Sequence, residues 1–180
     1  MTVVGIKTIL VPVESVESSN SVLNAALLLG RDAGGYIEGC PVRIHYPDAM
    51  AVGPMGGAMV SVSLDEPSFT PEELHKSFVN FMQKNGVPPA SVPDKQLCFG
   101  WTGNNLFSDP QFGGHARVFD VVVVGRPNAE ASGPRVTTVE CCLFEGGRPV
   151  LVAPPAEVES LGQTVVVAWN CSTEAARSVS

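Results

Sequence analysis

The chain has 180 residues, 44% of them hydrophobic and 16% charged, and its formal net charge is −7. That composition gives one globular domain enough apolar surface for a core. An acidic chain without a basic cluster is excluded as a binder of nucleic acid, itself a polyanion, and no apolar run approaches the ~20 residues that span a bilayer, so no membrane partner is expected.

The N-terminus passes almost directly into a strand-like run with no basic region or long apolar stretch, so the expected location is cytoplasmic. "KTILVPVES" is a short apolar run ending in polar residues, the pattern of a buried parallel strand. Ser18 or Ser19 can cap the helix that follows. Val22, Leu23, Ala26, Leu27 and Leu29 give that helix its apolar face, and Gly34 and Gly35 end it. "YIEGCPVRIHYP" is a second strand, from Tyr36 to Tyr46, made irregular by Pro41. Residues 47–68 are rich in Gly, Met, Ala and Ser without a period and are expected to form a long loop, a type of segment that is usually functional or disordered. "TPEELHKSFVNFMQKNGV" carries the strongest helix signal: Thr70 at the N-cap, Pro71 at the first position, Glu73 at the third and Gly86 past the end. "KQLCFGW" is the third strand, "GGHARVF" a short helix, Val121 to Val124 the fourth strand, residues 135–145 a helix and Pro149 to Val152 the fifth strand.

This alternation predicts an α/β fold with a five-stranded, mainly parallel sheet and right-handed crossovers. Ligands of such sheets sit at the carboxyl ends of the strands. Those ends carry Glu14 and Ser15, Tyr46 to Ala49, Trp101 to Asn105, and Gly125 to Asn128.

"TVVVAWNCSTEAARSVS" near the C-terminus echoes "TILVPVESVESSNSVLN" near the start, with a shift of 156 that sets Asn170 on Glu14 and Cys171 on Ser15. The echo is either a second repeat or a coincidence between two ordinary strand-helix starts. The order "ILVPVES", the Thr70 helix, "FDVVVVGRP", "RPVLVAPP" and "VVVAWNCSTEAA" resembles the universal stress protein family. The resemblance divides the chain into a universal stress protein-like domain, residues 1–155, and a linker with the first strand and helix start of an incomplete second copy, residues 156–180. It implies a Rossmann-like sheet with helices on both faces, of the adenine nucleotide alpha hydrolase type, and a role in stress response. Some members bind ATP and others do not.

The ATP-binding members follow their fourth strand with glycine, two residues, glycine, nine residues, glycine, then Ser or Thr. Glycines let the backbone approach phosphate, and the following helix offers unpaired N–H groups. By this resemblance Gly125 matches the first glycine, Asn128 replaces the second, Val136 replaces the third, and Thr137 is the hydroxyl residue. Only seven residues separate Asn128 from Val136. A β-branched valine resists positive φ and brings bulk to the phosphate position. Glu14 stands where many members have aspartate near the ribose, though it also fits a solvated acid at a strand end. Val42 stands where the backbone meets adenine, though it also fits a core valine.

The expected site residues are therefore Glu14, Val42, Gly125, Asn128 and Thr137, in a degenerate site that needs no cofactor. ATP or AMP bound weakly at the same residues is the alternative, and an enzyme of a related nucleotide-binding α/β fold is a further one. No Gly-x-Ser-x-Gly elbow and no Walker motif stands in the sequence, so the chain is read as no enzyme. The five cysteines form no Cys-x-x-Cys pair and read as free thiols rather than metal ligands. Val150, Leu151 and Val152 form an apolar run at the expected sheet edge. They are the expected interface of a homodimer or of a pairing with a second universal stress protein-like domain, the mode that the resemblance implies.

Overall fold

The computed structural model describes residues 5–16, 19–43, 49–51, 60–62, 69–90, 96–127 and 134–177. Five strands form one sheet: β1 (Thr8–Val13), β2 (Tyr36–Pro41), β5 (Cys98–Trp101), β6 (Val121–Gly125) and β7 (Val150–Ala153). Their order is β5-β2-β1-β6-β7, and every pairing is parallel. The α/β fold class expected from the sequence is the one observed.

The strands alternate their side chains between two cores. Ile9, Val11, Val13, Ile37, Phe99, Val121 and Val123 pack with α1 (Ser19–Ala33) and α2 (Pro71–Lys84). Leu10, Tyr36, Cys40, Val122 and Val124 pack with Phe112 and Ala116 of α3 (Asp109–Ala116) and with Cys142, at the end of α4 (Val136–Cys141). Both faces are thus covered, and this is why β1 and β6 read as unbroken apolar runs. A single π-helical turn, Cys142–Gly146, continues α4 and closes at Gly147 with φ 61°.

Local chemistry fixes the helix starts. Thr70 Oγ1 accepts from the Glu73 N–H at 3.2 Å, and the Glu73 carboxylate accepts from the Thr70 N–H at 2.8 Å. This is a complete capping box. At α1 the Ser19 hydroxyl donates to the Ser15 carbonyl; Ser18 lies outside the described residues.

Three expectations change. β2 ends at Pro41 rather than Tyr46, because the Pro41 carbonyl and the Arg43 N–H turn to Phe107 at 2.9 and 2.7 Å. α3 begins at Asp109, well before "GGHARVF": Ser108, Pro110 and Gln111 start it, with Gln111 Oε1 accepting from the Ser108 N–H at 2.9 Å. Residues 47–68, expected to be a loop, contain an antiparallel pair, β3 (Ala49–Ala51) with β4 (Val60–Val62); the rest of that segment lies outside the described residues. Residues 164–170, read as the first strand of a repeat, pair with no strand among the described residues, although a helix, α5 (Thr173–Arg177), does follow. Ser172 caps α5, its hydroxyl accepting from the Ala175 N–H at 3.1 Å.

No helix among the described residues is long and apolar enough to cross a membrane.

Candidate functional site

The sheet order reverses between β1 and β6: the chain runs outward from β1 through β2 to β5, and from β6 to β7. In open sheets of this kind a reversal of strand order is the general place for a ligand crevice, outside the carboxyl ends of the strands. Four elements meet there. β1 delivers Glu14, the end of β2 delivers Arg43, α3 begins with Asp109, and Arg135 occupies the N-cap position of α4.

These residues meet in one hydrogen-bonded cluster. Arg135 Nη2 donates to Asp109 Oδ1 at 2.6 Å, to Thr138 Oγ1 at 3.1 Å and to the Arg43 carbonyl at 3.1 Å. Its Nε donates to Glu14 Oε1 at 3.3 Å. Thr138 Oγ1 lies 2.6 Å from Glu14 Oε1 and 2.8 Å from Asp109 Oδ1. The ion pairs are buried, with side-chain exposures of 15% for Arg135, 8% for Glu14 and 11% for Asp109. A cation at a helix N-terminus opposes the helix dipole, and the two carboxylates offset that cost. Burial pushes the Glu14 carboxyl above its ordinary value of 4.5; the Thr138 hydrogen bond and the Arg135 charge pull the other way without cancelling it.

A Cβ built on Gly125 would collide with the Pro134 ring. Glycine at this strand end therefore admits the chain's own proline, where a nucleotide site would admit phosphate.

The structure brings two of the expected site residues, Glu14 and Gly125, to the crevice. Val42 is a core residue whose N–H donates to the Val13 carbonyl at 3.2 Å. Thr137 is exposed on α4, and its neighbour Thr138 supplies the inward hydroxyl. Asn128 lies outside the described residues. Asp109, Arg135 and Thr138 also enter the site, and none of them is among the expected site residues. The Ser-Asp-Pro-Gln helix start was the available signal for Asp109.

No protein-family model and no curated protein matches the chain.

Two other features lie away from the crevice. Glu38 on β2 accepts from Tyr36 at 2.7 Å, Thr102 at 2.8 Å and His115 at 2.9 Å. His115 sits between Phe107 and Phe119, at ring-centroid distances of 5.6 and 5.2 Å. The network joins β2, β5 and α3 and uses both carboxylate oxygens. A cavity of about 690 Å³ opens between α1 and α2, lined by Asn20, Asn24, Lys76, Asn80 and Phe81; none of the crevice residues borders it. Among the described residues no three His, Cys, Asp or Glu side chains are grouped to hold a metal. Burial pushes the Cys40 and Cys142 thiols up to about 12, which keeps them protonated and weakly reactive.

At the sheet's end β7 pairs, among the described residues, with β6 on one side only. Its Pro149 and Ala153 carbonyls accept from Val122 and Arg126 of the β6 side, so by alternation the N–H and C=O groups of Val150 and Val152 face the free edge. Leu151 packs on the α1–α2 core, Val150 on the α3–α4 core, and Val152 is 45% exposed.

Proposed function

We propose that this chain is a universal stress protein-like domain whose nucleotide crevice is closed by its own side chains, and that it serves a stress response by pairing with a like domain. The observation that carries this reading is Arg135, seated between Glu14 and Asp109 where a ligand of such a sheet would lie. A triphosphate entering there must displace a cation from two buried carboxylates and meet those carboxylates itself. Pro134 against Gly125 removes the close backbone approach that phosphate binding uses. The free edge of β7 supports pairing as a homodimer or with a second domain, since an edge presents unpaired backbone groups to another strand. No role as an enzyme is proposed.

One observation favours the weak-binding alternative for ATP or AMP. Arg135 Nη1 is buried and has no hydrogen-bond partner among the described residues, so a donor remains that an anion could use. Isothermal titration with ATP and magnesium decides between the two. The expected result is no saturable heat. A dissociation constant in the low micromolar range, ~ −8 kcal/mol, overturns the closed-crevice reading.

A further inference from the structure

One hydroxyl in the crevice faces more acceptors than its single hydrogen can serve. Thr138 has one hydroxyl hydrogen. Its Oγ1 lies within hydrogen-bond distance of two carboxylate oxygens, Glu14 Oε1 at 2.6 Å and Asp109 Oδ1 at 2.8 Å. Arg135 Nη2 aims a donor at the same hydroxyl from 3.1 Å, so the guanidinium cannot supply a hydrogen between the oxygens. With both acids ionised, one of the two contacts would set lone pair against lone pair, out of water, with a charge on one side. A proton on either acid removes that clash: the acid donates to Thr138, and Thr138 donates to the other carboxylate.

We infer that Glu14 holds this proton at a pH where exposed glutamates are ionised, and that the chain Glu14–Thr138–Asp109 is a proton-dependent latch on the crevice. The inference deepens the closed-crevice reading and rests on it. The geometry selects Glu14 over Asp109. Arg135 Nη2 stands 2.6 Å from Asp109, against 3.3 Å from Nε to Glu14, so Asp109 is the carboxylate that the guanidinium holds. Neutral Glu14, anionic Asp109 and cationic Arg135 sum to zero charge. Removing the proton leaves a net negative charge in the same space and faces two carboxylates across one hydroxyl.

Among the described residues the charged groups that act on Glu14 are Arg135 of α4 and Asp109 of α3; Cys142 at the end of α4 also couples to it, and its thiol stays protonated. Burial favours the neutral acid, in agreement with the geometry. The folded state holds a proton that the unfolded state releases near the ordinary value of 4.5. The latch therefore stabilises fully below that value, and its contribution is lost as pH rises through the higher folded value.

Carbon-13 NMR of the glutamate side-chain carboxyls tests this on the wild-type chain. The expected result is a Glu14 signal still in the acid form at about pH 6, where ordinary exposed glutamates are ionised, with a separate titration above it. Titration of Glu14 together with the exposed glutamates overturns the proposal. A second arm follows amide exchange of Val139 to Cys142. It is expected to accelerate with pH beyond the intrinsic base-catalysed rise in the wild type and to lose that excess in Glu14→Gln, whose amide donates to Thr138 without titrating. An equal pH response in both chains overturns the latch. The two readings fail separately: ATP binding with Glu14 still protonated sinks the closed crevice alone, and ordinary titration of Glu14 without ATP binding sinks the latch alone.

Discussion

Replacing Arg135 by methionine tests the plug at its centre. The change keeps an unbranched apolar stem and deletes the guanidinium, and with it the contacts to Glu14, Asp109, Thr138 and the Arg43 carbonyl. Asp109 would then be a buried carboxylate with no cation. Breaking a buried ion pair from one side costs about 3–5 kcal/mol. Exposures of 15% for Arg135 and 11% for Asp109 let some water relieve the charge, so the lower end, about 3 kcal/mol, is expected. For a chain of this length that lowers Tm by roughly 6–12 °C. Urea denaturation and calorimetry measure it directly. The double variant Asp109→Asn with Arg135→Met removes the orphaned charge and should recover at least ~1 kcal/mol relative to additivity. A single-variant cost under ~0.5 kcal/mol, the size of an ordinary surface change, would refute the reasoning. So would strict additivity, because two groups in one buried network must couple.

Two further outcomes follow from other parts of the fold. Val152→Lys at the free edge of β7 should abolish concentration-dependent association in light scattering while leaving urea stability within about 0.5 kcal/mol; a wild-type chain that stays monomeric at high concentration, or an association that Val152→Lys leaves untouched, sinks the pairing at this edge. Burial alone would raise the Glu38 carboxyl, but hydrogen bonds from His115, Tyr36 and Thr102 hold it below its ordinary value of 4.5, so its stabilisation is present above that value and lost as pH falls through the lower folded one; urea midpoints between about pH 5 and 3 should fall less steeply in Glu38→Gln than in the wild type, and an identical slope would show that Glu38 is not linked to folding.

The sheet was legible because its central strands are buried on both faces, so β1 and β6 spell apolar runs with no alternation to misread. α2 was legible from its capping box, a signal complete within four residues. The start of α3 was written in Ser108 to Gln111 but masked by the apolar text of Phe112 and beyond, which drew the helix too late. The β3–β4 pair was not legible, since three-residue strands in glycine- and methionine-rich text leave no period. The crevice was half legible. Glu14 and Gly125 follow from strand ends. Arg135 reads locally as a solvated loop cation, and only the tertiary fold sets it against partners 121 and 26 residues away. Thr137 and Thr138 are neighbours in sequence, and the phase of α4, fixed by packing, decides which hydroxyl turns inward.

A sheet with this strand order opens a crevice at β1 and β6 whether or not anything binds there. The space must be occupied: an empty polar gap leaves strand-end and helix-end groups without partners, and each buried orphan costs about 1–3 kcal/mol. A nucleotide-binding chain leaves that cost to its ligand. This chain meets it internally, since one arginine joins the end of β1, the end of β2, the start of α3 and the start of α4. That economy also makes the closure hard to reverse. Removing Arg135 alone empties the gap without making a phosphate site, because Pro134 still covers Gly125 and the hydroxyl of Thr137 still faces solvent. Changes at three positions within four residues must coincide before an anion gains a cradle there. The first of them uncovers Asp109 and costs stability by itself, which ties the closed crevice to the integrity of the fold.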